Sequence, residues 1–286
     1  MKRQIRMVAG ARADAPGQLT GTKRIRQVAP DVACKRLAIV NVTFFGLPGR
    51  QDRQWVLIDA GVAGTAGMIS RAAVQRFGRG SRPAAILLTH GHFDHVGALK
   101  RLAEQWDAPM YAHVLEHPFL NGTSSYPPAD PSVGGGLMAT LSPLYPRGPI
   151  DVSPWLKPLP EAGLPVMPGW RWLHSPGHSP GHVSFWRESD RTLIVGDAFI
   201  TTNQESAYSV ALQRPELHGP PQYYTPDWQQ ARESVRRLAE LQPELVITGH
   251  GPPMRGPAMR AALDLLARDF DKIAVPAHGH YVRAAA

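Results

Sequence analysis

From residue 37 onward, apolar and polar positions alternate with the two periods that mark strands and helices. The stretches "LAIVNVTFFG" (37–46) and "QWVLIDAG" (54–61) are apolar runs of strand length, separated by the turn signal Pro48-Gly49. In "TAGMISRAAVQRFG" (65–78) the apolar residues Met68, Ile69, Ala72, Ala73 and Phe77 recur at helical spacing, and Gly78 is a stop. The run "AAILLTH" predicts a buried strand. "HVGALKRLAEQW" predicts a helix with Val96, Leu99, Leu102 and Ala103 on one face, and "PMYAH" a further strand. Later in the chain "WRWLH", "HVSFW", "TLIVGD" (192–197) and "ELVITG" (244–249) predict strands, and "DWQQARESVRRLAELQ" and "PAMRAALDLLARDF" predict helices. Residues 117–168 are rich in Pro and Gly, with one short helix expected around 137–144, and 201–225 is a polar, aromatic loop. Strands lead and helices follow in both halves. The predicted class is therefore mixed α/β, with apolar strands buried between helical layers.

Charge sharpens the domain picture. Residues 1–36 contain nine Lys or Arg against Asp14 and Asp31, so they carry +7 of the net +8 and the rest of the chain is near neutral. The expected organisation is a basic N-terminal arm over 1–36 and a single domain over 37–286, with an insertion at about 117–168. A near-neutral body lacks the broad basic stripe that tracks a phosphate backbone, so no nucleic-acid partner is expected. No apolar run approaches eighteen residues and the amino terminus has no apolar core of signal-peptide length; no membrane partner and a cytoplasmic location are expected. Cys34 is the only cysteine, which excludes an intrachain disulfide and a multi-cysteine metal site.

The chemistry concentrates in "THGHFDHVG", where His90, His92, Asp94 and His95 fall within six positions after an apolar run. His90 and His92 are two apart in an extended segment, so their side chains leave on the same side and can reach one ion. Asp94 and His95 fall at the turn into the next helix, where Asp94 is also a candidate N-cap. Zinc takes about four ligands, so this cluster alone completes no pair of sites and predicts further ligands elsewhere. Three stretches offer them: "HSPGHSPGHVSFW" with His174, His178 and His182, "LIVGDAF" with Asp197, and "VITGHGPP" with His250. Each candidate lies at the carboxyl end of an apolar run, where an α/β scaffold gathers a site from distant loops.

The series "LIDAG", "THGHFDHVG", "SPGHSPGH", "VGDAF" and "TGHG", taken in order over residues 37–255, resembles the metallo-β-lactamase fold hydrolases. That resemblance implies a four-layered αββα sandwich and two metal ions. His90, His92 and His178 would bind the first, Asp94, His95 and His250 the second, and Asp197 would bridge them. His182 is expected to support the ligands, His174 to line the pocket at a strand end, and Asp59 to buttress the metal loop or simply to occupy the turn before Gly61. The full His-x-His-x-Asp-His with a bridging aspartate is the pattern of thioesterases, lactonases and phosphodiesterases rather than of true β-lactamases. Only 36 residues follow His250, which leaves little room for the helical domain of glyoxalase II enzymes.

The expected activity is that of a dinuclear metal-dependent hydrolase that cleaves a carboxylic ester, lactone or thioester by metal-bound hydroxide. Asp94 would orient the nucleophile and carry its proton to the leaving group. Zinc is the expected metal, with iron and manganese as alternatives, since His and Asp suit all three. The alternative activities are a mononuclear iron persulfide dioxygenase and a phosphodiesterase of the same fold. Tyr208, His218 and Tyr223 are the candidate contacts to a small-molecule substrate, alongside Gln204 and Tyr224. The insertion, with Met138, Leu141, Leu144 and Tyr145, is expected to be a lid, a homodimer contact or plain core.

Overall fold

The computed structural model describes residues 5–7, 25–161, 163–164 and 166–283. The described chain divides into two compact units: one takes 25–126 and 147–170, and the other 5–7, 127–146 and 171–283. The expected insertion is shared between them, with 117–126 and 147–168 in the first unit and 127–146 in the second.

The first unit is built on a seven-stranded sheet. Its strands are Arg26–Ala29, Val32–Leu37, Val40–Phe45, Val56–Ile58, Ala85–Leu87, Met110–Ala112 and Leu156–Pro158, and they lie side by side in that order. The first four pair antiparallel and the rest parallel. One face carries Val42, Phe44, Leu57, Ile86 and Met110 in a core with Ile69, Ala73 and Phe77 of the helix Ala66–Phe77 and Leu99, Leu102 and Trp106 of the helix Leu99–Trp106. Trp55 stacks on Phe77 with ring centroids 4.5 Å apart and meets Trp106 edge-on at 5.5 Å. Val56, Ile58, Ala85 and Leu87, on the opposite face, are buried as well. Burial on both faces is why these short strands read as unbroken apolar runs.

Three strands lie in or run out of the stretch expected to be a basic arm: Ile5–Arg6, which pairs with Glu216–Leu217, and two longer ones. Arg26–Ala29 and Val32–Leu37 precede Val40–Phe45, and "LAIVNVTFFG" holds a hairpin turn rather than one continuous strand. The turn runs through Ala38, which has φ of +57° without the Gly, Asn or Asp that usually announces such a conformation. Residues 1–4 and 8–24 of that stretch lie outside the described residues.

The second unit is built on a five-stranded sheet with the order Met254–Arg255, Leu245–Thr248, Thr192–Gly196, Val183–Arg187, Trp170–His174. Trp186, Leu193, Val195 and Val246 form its core with Trp228, Val235 and Leu238 of the helix Trp228–Glu240 and Leu263 and Leu266 of the helix Pro257–Arg268. Asp227 caps the first of these helices by accepting the Gln230 N–H at 2.8 Å. Residues 127–146 pack on the loop after Ile200: the Asp130 N–H donates to the Tyr223 carbonyl and the Met138 N–H to that of Glu205. Among the described residues no helix is long and apolar enough to cross a membrane.

Candidate metal centre

In the first unit, strands Val56–Ile58 and Ala85–Leu87 run parallel with Ile58 opposite Leu87, so the residues that follow them emerge together. Asp59 takes a left-handed turn (φ +62°) and turns its carboxylate to the neighbouring loop. Oδ1 accepts the Thr89 N–H at 2.8 Å, while Oδ2 accepts the Thr89 hydroxyl and lies 2.9 Å from Nδ1 of His95. Because the Thr89 hydroxyl is committed as a donor, Nδ1–H of His90, 3.0 Å from Oγ1, donates to it. His90 and His95 are thus both held as Nδ1–H tautomers, with Nε2 carrying the lone pair that a metal needs. The ligating atoms of His90 lie within 4.8 Å of those of His92 and of His95, and those of Asp94 within 4.8 Å of His95. All four side chains are buried. Asp94 lies inside the short helix Phe93–Val96, whose N-cap is His92, so the expected N-cap role for Asp94 is not met.

The second unit gathers its own group at one sheet end. Strands Thr192–Gly196 and Leu245–Thr248 run parallel with Gly196 opposite Thr248, so Asp197 and His250 leave the sheet side by side. Oδ2 of Asp197 lies 3.0 Å from Nε2 of His250 and 3.5 Å from Nε2 of His178. His178 is carried by the loop that returns to Val183–Arg187, and its Nδ1 is 3.4 Å from the Thr225 hydroxyl. That hydroxyl donates to the Pro221 carbonyl, so it accepts from His178 and sets the same Nδ1–H tautomer.

His182 has the opposite arrangement. Its Nε2 accepts the backbone N–H of Asp197 at 2.8 Å, and its Nδ1–H faces the Ser175 hydroxyl at 2.9 Å. Ser175 in turn meets the Ser184 hydroxyl, which donates to the Val195 carbonyl. With its lone pair accepting from the main chain, His182 anchors Asp197.

The comparisons with known proteins identify the family. The family model of the Metallo-beta-lactamase superfamily matches residues 37–250. The chain belongs to the metallo-β-lactamase superfamily. The probable metallo-hydrolase YflN of Bacillus subtilis (strain 168) is 49% identical over 236 residues, which make up 82% of this chain and 89% of that protein. A β-lactamase domain protein from Burkholderia ambifaria superposes with a TM-score of 0.61 over 90% of this chain and 80% of its own, at 23% identity, a likeness of fold. TTHA1623, solved in a di-iron-bound form, gives a TM-score of 0.50 at 29% identity over 82% of this chain and 96% of its own. The α/β class expected from the strand and helix pattern is thus that of the metallo-β-lactamase fold.

Metallo-β-lactamase superfamily proteins use divalent metal ions, and the donors here fit such ions. Three imidazoles are held in the tautomer that presents Nε2, with buried carboxylates beside them. The hydroxyls that meet these imidazoles (Thr89, Thr225) and His182 (Ser175) carry no spacing signature, and only their tertiary partners reveal them. Of the candidate substrate contacts, Tyr208 is 60% exposed, with the Arg214 guanidinium 5.3 Å from its ring centre. Tyr223 is buried between Tyr224 and Tyr145, with ring centroids 5.2 and 6.0 Å away. His218 is buried opposite Ile200, with Nδ1 3.2 Å from the Gly219 carbonyl and Nε2 3.9 Å from Oε2 of Glu205. Gln204 is fully buried and His174 reaches the Pro180 carbonyl at 2.9 Å.

Proposed function

We propose that this metal-dependent hydrolase of the metallo-β-lactamase superfamily cleaves a carboxylic ester, lactone or thioester at a dinuclear centre served by both ligand groups. The observation that carries the reading is Asp197, whose carboxylate is approached by the Nε2 atoms of His178 and of His250. Those two histidines are assigned to different ions, and a carboxylate beside both would suit a bridging ligand. Each group by itself falls short of two four-coordinate sites. Both fall within the single stretch matched by the family model, and the di-iron form of TTHA1623 supports a count of two. In this reading His90, His92 and His178 hold the first ion, Asp94, His95 and His250 the second, and Asp197 both. Zinc is the proposed metal.

Two divalent ions supply the Lewis acidity that makes water nucleophilic near neutral pH and that polarises a carbonyl. The residues supply position. Asp59 and Thr89 fix the rings of His95 and His90, Thr225 fixes that of His178, and His182 holds the main chain of Asp197. Asp94 is the proposed proton carrier: it accepts a proton from the attacking water and passes it to the leaving alkoxide or thiolate. His218 and Tyr223 are the proposed substrate contacts, and the exposed Tyr208 the weakest of the three.

The test is metal analysis of the purified protein together with turnover of a panel of lactones, thioesters and phosphodiesters. Two metal ions per chain and turnover of one carbonyl class are expected. One iron per chain with oxygen uptake replaces the reading with a dioxygenase, and turnover of phosphodiesters alone replaces it with a phosphodiesterase. Asp94→Asn is expected to lower kcat by at least about 100-fold, the scale of general acid–base catalysis, while metal content falls only partly. Near-normal turnover removes Asp94 from the mechanism.

A further inference from the structure

We infer that Glu116 and Tyr126, outside every ligand motif, form a positioning pair that holds the His90–Gly91–His92 turn and sets the affinity of the ion bound there. The inference rests on the dinuclear reading for the identity of that ion. The Gly91 N–H, between the two histidines, donates to Oε2 of Glu116 and to the hydroxyl of Tyr126, each at 2.9 Å. The Tyr126 hydroxyl donates to the same Glu116 oxygen, so one peptide N–H, one phenol and one carboxylate close a three-membered network.

The fit leaves no slack. A Cβ on Gly91 would lie 2.7 Å from the Tyr126 hydroxyl, so the turn can approach the pair only because residue 91 has no side chain. The ring of Tyr126 lies 4.4 Å from that of His92, tilted by 59°, and backs its imidazole. Phe119 stacks on Tyr126 at 3.8 Å and fixes the ring in turn. Glu116 is fully buried and Tyr126 nearly so.

A buried carboxylate is costly unless something compensates its charge. The Gly91 N–H and the Tyr126 phenol donate to it, and a cation on the adjacent histidines would compensate it further. The proposed ligands contain only two carboxylates, Asp94 and Asp197, against two divalent ions. Glu116 supplies outer negative charge beside the first ion, as Asp59 does beside the second. Its charge and the hydrogen bonds to Gly91 therefore favour the loaded turn over the empty one.

The experiment measures metal affinity by chelator competition in wild type, Glu116→Gln, Tyr126→Phe and the packing control Phe119→Leu. Each chelated protein is also melted. The two network variants are expected to weaken one ion by about 10–100-fold, the usual effect of partners that orient a ligand, and to leave the other unchanged. Phe119→Leu is expected to lower the metal-free Tm with little change in affinity. Unchanged affinity in both network variants overturns the inference, as does a loss that merely tracks the metal-free Tm. Should Tyr126→Phe not fold, the isosteric Glu116→Gln decides alone. The metal count of the wild type tests the dinuclear reading independently, since the inference needs only that an ion on His90 and His92 weakens.

Discussion

Asp59 illustrates how one side chain sets the chemistry of another. Its Oδ2 receives the Thr89 hydroxyl and faces Nδ1 of His95, so both must be donors toward it. In Asp59→Asn the left-handed backbone is kept, because asparagine tolerates φ of +62°. An amide NH2 in place of Oδ2 turns the acceptor into a donor and drives His95 to the Nε2–H tautomer. The lone pair then faces the wrong way. On the dinuclear reading the expected outcome is an about 10–100-fold weaker second ion in a chelator titration, with a smaller loss at the first because the Thr89 hydroxyl also loses its acceptor. Thr89→Val should weaken the first ion alone, since it removes the acceptor for Nδ1–H of His90. Equal losses at both ions in both variants would mean the tautomers are not set this way. At this scale the candidate ligands were legible, because His and Asp at strand ends form a pattern along the chain. Thr89, Glu116 and Tyr126 were not, because a hydroxyl or carboxylate brought in by folding leaves no periodic trace.

Loop and helix meet closely at Gly177. Its φ is +126°, and a Cβ there would lie 2.2 Å from the Ala231 nitrogen, against the first turns of the helix Trp228–Glu240. The neighbouring hydrogen bonds stitch the same seam: the Asp227 N–H donates to the Gly177 carbonyl, and the Ser234 hydroxyl to the Pro176 carbonyl. Neither partner is a flexible side chain that can step aside. Gly177→Ala is therefore expected to cost at least about 1–3 kcal/mol, the range for overpacking, and to displace His178, one residue on. A lower thermal midpoint together with reduced metal content is the predicted signature; a wild-type melt contradicts it. Long periodic helices such as Ala66–Phe77 were legible to within a residue or two. The strand Val32–Leu37 was not, because Lys35 and Arg36 read as solvated charge. Lys35 is nonetheless buried, and burial followed by the nearby Arg71 charge lowers its pKa.

For the whole molecule the α/β class followed from strands leading helices in each half, whereas the division into two units did not. That division cuts through a Pro- and Gly-rich stretch at Tyr126 and Pro146, and packing between residues distant in sequence decides which side a loop joins. The division also gives the dinuclear proposal its sharpest consequence. His90, His92, Asp94 and His95 belong to one unit, and His178, Asp197 and His250 to the other. A ligand bound only by the folded state stabilises it in proportion to the logarithm of its concentration over Kd, which is about 4.1 kcal/mol at a thousandfold excess. Ions that draw ligands from both groups spread that stabilisation over both units. Hydrogen exchange before and after chelation reads it directly. Amides of 89–97 and of 175–182 should lose protection together, and His250→Ala alone should loosen 89–97 in the metal-supplemented protein. Loss of protection confined to the unit that carries the substitution would show that the two groups bind metal independently, and the shared centre would have to be abandoned.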